Sequence, residues 1–381
     1  MLRCNILTIF LAFSLLAGAQ DWKVVREHPQ KAFPKTVAAG NYSGIAHLHD
    51  DIYAVVSDKS DSALYFNFRI QVNPKTGELE QVENLGFTER TDGTLNDGKP
   101  WQGLEKGFDH EAIVKVSDST LVIASEGYCR LKEYPILPTS ADAAKVDYQQ
   151  NLWESRWPSA DFYPNYNFES LAFDSVRQYL WTIPESTLRK DGQPATPQNG
   201  LANQLRLMRL DWGKIKENRN KEKYSEQVSS KKDSRYMMTY AYQMDQPSTH
   251  KKADIYVMGV SELCALPDGQ LLVLEREAFI PKIKIGAFCK CKLYLVNPLN
   301  SENFSMKENI SSDTPFLKKK LLTEWKTGLS LSKRSFANYE GMCLGPKLED
   351  GSQVIILLSD SQDQYAGVLK DWFKTIVIRK E

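Results

Sequence analysis

An all-β fold, and within that class a β-propeller, is predicted by three features of the sequence. A strand–turn–strand unit occurs five times along the chain, each unit begins with a small or acidic residue, and each ends with an acid. Turn sequences such as Asp268-Gly269 and Asp350-Gly351 separate the two strands of a unit, as in β-hairpins. Because a propeller blade contains two inner and two outer strands, we interpret each hairpin as the inner half of one blade.

The five units are aligned by their first residues and by the acids that end their second strands. The first residues are Ser43, Glu111, Glu169, Ser261 and Glu340, and the second strands run into Asp58, Glu126, Glu185, Glu275 and Asp360. Further strand candidates lie at residues 64–72, 205–212, 236–244 and 292–296. The sequence therefore predicts five visible blades, with a sixth possible.

The two ends of the chain are predicted to close the ring. After Asp360 only residues 375–379 are clearly strand-like, so the last unit lacks room for four strands. Residues 22–25 can supply the missing strand, which leaves no open sheet edge. The charged segment 211–235 is expected to be a solvated loop.

Composition limits the class of protein. The 381 residues are 42% hydrophobic and 25% charged, enough to bury a large core and too polar for a membrane bundle. Lys and Arg together number 48, and Asp and Glu together also number 48. The chain therefore lacks the excess of basic residues that nucleic-acid binding requires. No apolar run after the N-terminus is long enough for a transmembrane helix. We expect one domain over residues 20–381, in a monomeric protein.

The N-terminus has the pattern of a signal peptide. A short segment containing Arg3 precedes an apolar run from Ile6 to Leu16, and Ala17-Gly18-Ala19 supplies the small residues of a cleavage site. The run is too short to cross about 30 Å of hydrocarbon as a helix. We predict that residues 1–19 are removed near Ala19 and that the protein is secreted or periplasmic.

Five cysteines follow the signal peptide, and they are Cys129, Cys264, Cys289, Cys291 and Cys343. An odd number leaves at least one thiol unpaired in an oxidising compartment. Cys264 and Cys343 hold the position that other units give to small aliphatic residues, and Cys289-Lys290-Cys291 has no second half of a zinc site. We therefore expect small buried side chains.

The acids of the five hairpins are expected to share one rim. A hairpin's first strand starts where its second strand ends, and the innermost strands of a propeller line its axis. Carboxylates crowded around one channel mouth raise one another's pKa values unless cations compensate. Ca²⁺ prefers oxygen ligands, and Arg276, Arg130, Lys59 and His110 are near the acids in sequence. The alternative is that individual acids cap turns or pair with basic residues.

These considerations select the candidate site residues. The candidate metal ligands are Glu169, Glu185, Glu275, Glu340 and Asp360. Glu111 and Glu126 are candidate general bases, and Arg276 is a candidate electrophilic clamp for the substrate. The carboxylates predicted to face a common axial cavity are those of Glu111, Glu126, Glu169, Glu185, Glu340 and Asp360.

Three segments resemble motifs of the phytase-like family, described as "esterase-like activity of phytase". They are Asn167-Phe168-Glu169-Ser170-Leu171 with Ile183-Pro184-Glu185, Val260-Ser261-Glu262-Leu263 with residues 266–276, and Asn338-Tyr339-Glu340-Gly341-Met342 with Leu358-Ser359-Asp360. The resemblance runs from about residue 40 to the C-terminus. It implies an exported, propeller-like protein with an ester- or phosphoester-hydrolysing role, and it implies little about the substrate.

Three functions follow as hypotheses. The first is a Ca²⁺-assisted hydrolase of phosphate or carboxylate esters, in which the metal polarises the ester oxygen of a small-molecule substrate and lowers the pKa of a water molecule. The second is a non-catalytic propeller that binds a glycan, metabolite or protein at its rim. The third is a Ca²⁺-dependent enzyme of the lactonase type. No G-x-S-x-G, H-E-x-x-H or phosphate-binding glycine motif selects a different chemistry.

Overall fold

Five antiparallel sheets surround a common axis in the computed structural model. The structure describes residues 21–60, 64–87, 109–136, 152–221, 234–331, 334–361 and 369–381. The predicted propeller is confirmed, and its described strands form five blades. The predicted signal peptide, residues 1–19, lies outside the described residues.

Each blade contains four principal strands, ordered from the axis outward. Blade 1 consists of β3 (Tyr42–His49), β4 (Ile52–Ser57), β5 (Phe66–Val72) and β6 (Leu79–Phe87). Blade 2 consists of β7 (His110–Lys115), β8 (Thr120–Ser125), β9 (Arg130–Pro135) and β10 (Glu154–Arg156). Blade 3 consists of β11 (Phe168–Asp174), β12 (Tyr179–Pro184), β13 (Gln204–Asp211) and β14 (Met237–Gln243).

The remaining two blades complete the ring. Blade 4 consists of β15 (Ile255–Ala265), β16 (Leu271–Ile280), β17 (Phe288–Val296) and β18 (Lys319–Gly328). Blade 5 consists of β19 (Asn338–Lys347), β20 (Gln353–Asp360), β21 (Trp372–Lys380) and β1 (Trp22–Glu27), and the short β2 (Lys31–Ala32) also pairs with β21. The innermost strands β3, β7, β11, β15 and β19 contact one another in ring order.

Apolar side chains hold neighbouring blades together. Five clusters of buried residues each combine side chains from two adjacent blades, for example Trp181 of blade 3 with Leu271 of blade 4. The second strand of each blade lies between two such clusters, so β20 is buried along its whole length. This explains why the second strands read as continuous apolar runs rather than alternating ones.

The N-terminal strand closes the ring, as predicted. β1 pairs antiparallel with β21, in a register that places Trp22 opposite Lys380 and Val24 opposite Ile378. Backbone hydrogen bonds of 2.7 and 3.0 Å between Asp21 and Glu381 extend this pairing to the C-terminal residue. The first and last segments of the chain therefore share one sheet.

The charged segment after β13 was expected to be a loop, and this expectation is wrong for its first part. Helix α1 (Trp212–Lys221) begins there, because the Asp211 Oδ1 accepts a hydrogen bond from the Lys214 N–H at 3.1 Å and caps the first turn. Trp212 and Ile215 are buried on one face of α1. No helix among the described residues is long and apolar enough to cross a membrane.

The five cysteines of the described chain are free and buried, as expected for small apolar side chains. Cys264 and Cys343 lie on the inner strands β15 and β19. Cys289 and Cys291 lie on β17, with their Sγ atoms 3.8 Å apart.

Candidate functional site

Every inner strand carries a β-bulge, which lies near the first residue in four blades and in the middle of β15 in blade 4. The pairing register with the second strand shifts between Tyr42 and Ile45, His110 and Ala112, Phe168 and Ser170, Val260 and Glu262, and Tyr339 and Gly341. The residues inside the bulges include Ser43, Glu111, Glu169, Ser261 and Glu340, which are the first residues of the five sequence units. A bulged residue leaves the ladder and its side chain is redirected. The bulges thus give the first-strand acids a direction that regular pleating would not.

The end of the axis where inner strands begin and second strands end is called the mouth. Here the backbone residue two positions before each bulged residue pairs with Asp58, Glu126, Glu185, Arg276 or Asp360 in the five blades. Four blades therefore place an acid at this position, and blade 4 places an arginine. Blade 4 also has Ser261 in its bulge, so it contributes a cation and no acid at these two positions.

Glu275 was expected to join the acids of the mouth, and the structure places it elsewhere. It pairs with Val260, one register position away from Arg276, so its side chain lies on the opposite face of β16. Its Oε1 accepts hydrogen bonds of 2.6 Å from the Tyr242 hydroxyl and from the Lys319 Nζ. A shift of one residue in the fourth sequence unit explains the error.

Arg276 is the centre of one side of the mouth, which we call the arginine side. Its Nη1 donates to the Glu340 Oε1 at 2.5 Å and to the Asn338 Oδ1 at 3.2 Å. Its Nη2 donates to the Glu169 Oε2 at 3.1 Å and to the Glu185 carboxylate. The side chains of Arg276 and Glu185 are almost fully buried, whereas those of Glu340 and Glu169 are 12% and 13% exposed. Because protein oxygens accept from both Nη atoms, the expected role of Arg276 as a substrate clamp is not supported.

The opposite side of the mouth, which we call the acidic side, belongs to blades 1 and 2. Carboxylate oxygens of Asp58, Asp109 and Glu111 lie within 4.8 Å of one another, a spacing at which they could hold a metal ion. The Ser43 hydroxyl donates to the Glu111 Oε2 at 2.6 Å. The Glu126 Oε1 accepts from the Asn167 N–H at 3.2 Å, and the Glu126 side chain is also hydrogen-bonded to Asp109.

Burial and mutual repulsion raise the pKa values of the carboxyl groups of the mouth. Burial raises the pKa of Glu340 to about 7, although Arg276 lowers it, and burial raises the pKa of Glu126 to about 7. Burial and the charge of Glu340 hold the pKa of Glu111 well above its usual range. The pKa of Glu169 is raised by burial and by the charge of Glu185. Ionisation of a carboxyl group on one side of the mouth therefore changes the pKa values of carboxyl groups on the other side.

The remaining residues considered from sequence are Asp360, His110, Arg130 and Lys59, and the Lys59 Nζ lies 3.8 Å from the Asp58 Oδ2. Asp360 is buried and pairs with Asn338. In blade 5 it therefore holds the position that Glu185 holds in blade 3. His110 is fully buried, and burial together with the charge of Arg130 lowers its pKa to about 3, so it is a neutral imidazole. Arg130 is itself buried and lies over the Tyr128 ring.

Two residues of the site were missed from sequence, and the first is Asp109. It precedes the bulge of β7, as Asn167 and Asn338 precede the bulges of β11 and β19. The signal was present as a repeated triplet of Asn or Asp, an aromatic residue and Glu, in Asp109-His110-Glu111, Asn167-Phe168-Glu169 and Asn338-Tyr339-Glu340.

The second missed residue is Glu262, which is 1% exposed on the inner strand β15. Its Oε1 accepts from the Leu171 N–H of blade 3 at 2.9 Å and from the Leu263 N–H at 3.0 Å, and burial raises its pKa well above the usual range. The charges of Glu262 and Cys264 both act on the Cys343 thiol, so these three side chains lie close together. Its position inside a recognised motif was visible, but its contact with the neighbouring blade was not.

The fold and the site define a five-bladed propeller with an acidic axial mouth. The family model for phytase-like proteins, described as esterase-like activity of phytase, matches residues 37–362 of this sequence. The chain belongs to the phytase-like family, as the three motifs predicted.

Solved structures with similar folds share little sequence with this chain. A streptogramin B lyase is 9% identical with a TM-score of 0.33, and the match covers 93% of this chain and 98% of that one. Virginiamycin B lyase from Staphylococcus aureus is 9% identical with a TM-score of 0.31, covering 93% and 99%. A GH43 glycoside hydrolase is 8% identical with a TM-score of 0.38, covering 93% and 52%. Comparison with curated proteins finds no match.

Proposed function

We propose that this protein is a Ca²⁺-assisted hydrolase of ester bonds, with its catalytic centre at the mouth of the propeller. The observation that carries the proposal is the grouping of Asp58, Asp109 and Glu111 within 4.8 Å on the acidic side. Membership of a family described by esterase-like activity supports the same class of reaction. The substrate is a small-molecule ester that enters along the axis.

The acidic side fits a hard divalent cation. All three carboxylates offer oxygen donors, which Ca²⁺ prefers, and Glu111 is hydrogen-bonded to the neutral hydroxyl of Ser43 and to Asp109. The cation beside them is the half-exposed Lys59, whose Nζ lies 3.8 Å from the Asp58 Oδ2. On the arginine side, by contrast, Glu169, Glu185 and Glu340 already share the guanidinium of Arg276. We therefore transfer the metal site from the ligands predicted by sequence to Asp58, Asp109 and Glu111.

When bound there, Ca²⁺ supplies a Lewis acid for the ester oxygen and lowers the pKa of a water molecule. Glu126, a general base predicted from sequence, has its pKa raised to about 7 by burial and stays a candidate, whereas Glu111 becomes a metal ligand. Glu340 is a second candidate for proton exchange. Its side chain is partly exposed, its Oε1 is held by Arg276 and Asn338, and its pKa is raised to about 7 by burial. A carboxyl group that titrates near neutral pH is suited to general acid–base catalysis.

The partners of Arg276 favour carboxylate esters, including lactones, over phosphate esters. Phosphate recognition usually relies on the two parallel N–H donors of an arginine. Here protein oxygens accept from both Nη atoms of Arg276. A dianionic phosphate would also meet the repulsion of the surrounding carboxylates.

The test is an activity panel with a matched pair of variants. Wild-type protein, Asp58→Asn/Glu111→Gln and Glu275→Gln are assayed with aryl esters, lactones and aryl phosphates, each with Ca²⁺ and with a chelator. Glu275 is a suitable control because it is a buried acid with partners outside the mouth. We expect hydrolysis that the chelator abolishes, that Asp58→Asn/Glu111→Gln loses and that Glu275→Gln retains. Absence of chelator-sensitive hydrolysis across the panel would favour a propeller that only binds a ligand.

We also propose that the protein is exported, on the strength of the signal-peptide pattern in residues 1–19. Sequencing the N-terminus of protein recovered from the periplasm or the medium should give a chain that starts near Gln20. Recovery of an uncleaved chain in the cytoplasm would contradict this.

A further inference from the structure

We propose that the guanidinium of Arg276 fills a second cation site of the mouth, one that takes a divalent metal ion when the arginine is replaced by an uncharged residue. The inference extends the proposed function, because it explains why one metal ion suffices for a mouth lined by acids from four blades. Its test does not depend on catalytic activity.

Arg276 holds a position in the ring that the other blades give to an acid. Blades 1, 2, 3 and 5 place Asp58, Glu126, Glu185 and Asp360 at the register position that Arg276 holds in blade 4. The fivefold repeat of the backbone thus brings one cation into a ring of acids. The guanidinium of Arg276 contacts both neighbouring blades, since its hydrogen-bond partners belong to blades 3 and 5.

The groups around the guanidinium of Arg276 are oxygen donors. Four oxygens contact the Nη atoms, three from the carboxylates of Glu169, Glu185 and Glu340 and one from the amide of Asn338. Carboxylate and amide oxygens are the donors that Ca²⁺ takes in proteins. Loss of the guanidinium would leave three buried carboxylates without their cation, which must then take up protons or a metal ion.

The guanidinium of Arg276 is incompletely paired. The Nε of Arg276 is buried and has no hydrogen-bond partner among the described residues, although the side chain is only 3% exposed. The planar guanidinium therefore donates to four acceptors through its Nη atoms but leaves its buried Nε–H group without an acceptor. A spherical cation carries no such donor, which fits a site whose requirement is positive charge rather than the shape of arginine.

The experiment measures the number of Ca²⁺ ions bound per chain by equilibrium dialysis. Arg276→Met, which keeps an unbranched apolar stem but removes the guanidinium and its charge, should bind one ion more than the wild type. Adding Glu169→Gln and Glu340→Gln to Arg276→Met should remove the extra ion. Arg206→Met is the matched control, because Arg206 is also fully buried but is paired with Asp191 away from the mouth. It should bind no additional ion.

The outcomes separate this inference from the proposed function. In the triple variant Asp58→Asn/Glu111→Gln/Arg276→Met the acidic side is disabled, yet one ion should still bind. If the wild type bound no Ca²⁺, the proposed metal site would fail, while an ion gained by Arg276→Met would still support the second site. A folded Arg276→Met that binds the same number of ions as the wild type would overturn the inference.

Loss of a buried arginine can also prevent folding, and this outcome is informative as well. Because a ligand that binds only the folded state stabilises it, Ca²⁺ in the refolding buffer should recover folded Arg276→Met, measured by circular dichroism. It should recover Arg206→Met to a smaller extent, because that variant binds only the ion of the acidic side. Failure of Ca²⁺ to recover either variant would contradict the second site.

Discussion

Gly259 lies where blade 4 comes closest to Glu185 of the arginine side. A Cβ atom added at this glycine would lie 2.3 Å from the Glu185 Cγ and 2.5 Å from the Glu185 carbonyl oxygen. Replacement by alanine must therefore move Glu185 or the backbone of β15. We expect Gly259→Ala to lower the free energy of unfolding by about 1–3 kcal/mol, the usual range for overpacking, in a urea titration.

Gly213 provides the control for this substitution. It lies in the first turn of α1, where an added Cβ would make only an ordinary contact of 3.4 Å with the Gln178 Cβ. Alanine has a higher helix propensity than glycine. Gly213→Ala should therefore leave the free energy of unfolding unchanged or raise it by about 0.5–1 kcal/mol. Equal losses in the two variants would show that crowding at Glu185 is not the cause.

The carboxyl groups of the mouth make a second prediction, on the pH dependence of stability. Burial raises the pKa values of Glu126 and Glu340 from their ordinary value of 4.5 to about 7. Between these values the folded state retains protons that the unfolded state has released, so the folded state is favoured most at the acidic end. In the presence of a chelator, the contribution of these groups to the free energy of unfolding should fall as pH rises from about 4.5 to about 7.

Urea titrations across this range test that direction. Glu126→Gln/Glu340→Gln should show a smaller fall than the wild type, because amides do not titrate. Added Ca²⁺ should offset the loss most at the upper end of the range, where the carboxylates are ionised. A free energy of unfolding that falls as steeply in the double variant as in the wild type would contradict this account.

Single residues also show the limit of what the sequence could predict. The pattern located the bulged acids Glu111, Glu169 and Glu340 correctly, because a repeated acid before an apolar strand marks the same point of each hairpin. It misassigned Glu275, because a one-residue shift exchanges the two faces of a strand. The partners of Arg276 come from blades 3 and 5, and such contacts between distant segments have no signature in a local pattern.

At the scale of elements, the closing strand β1 carries a third prediction. Asp21 and Glu381 exchange two backbone hydrogen bonds, so the alternation of an antiparallel ladder makes Lys23 opposite Arg379 a hydrogen-bonded pair and Val24 opposite Ile378 a non-hydrogen-bonded one. Proline lacks the N–H that Lys23 donates to β21, so Lys23→Pro should destabilise the protein by about 1–3 kcal/mol and Val24→Pro, whose N–H faces away from β21, by less. Differential scanning calorimetry of the two variants checks this, and equal Tm losses would contradict ring closure by this register.

The elements themselves were largely predictable. Apolar runs bounded by turn residues indicated the hairpins, and the short last unit indicated ring closure by the N-terminal strand. Helix α1 was not predicted, because its charge run resembles a loop and its buried face is limited to Trp212 and Ile215. The capping contact of Asp211 with Lys214 was the signal available in the sequence.

At the scale of the whole molecule, the mouth combines acids from four blades that repel one another and oppose folding. Ca²⁺ at the acidic side should therefore raise the Tm of the wild type, with a stabilisation of about 2.7 kcal/mol at a hundredfold excess over its Kd. Asp58→Asn/Glu111→Gln should lose this response and Glu275→Gln should keep it. A Ca²⁺ response of equal size in all three proteins would place the ion elsewhere.

The central claim is that the acidic side of the mouth holds a metal ion. The most direct measurement is an anomalous difference map from crystals grown with Tb³⁺, a lanthanide that substitutes for Ca²⁺. The account predicts a peak bounded by the carboxylates of Asp58, Asp109 and Glu111, and no peak there in crystals of Asp58→Asn/Glu111→Gln. A map with peaks only on the outer strands of the blades, or with no peak at the mouth, would contradict it.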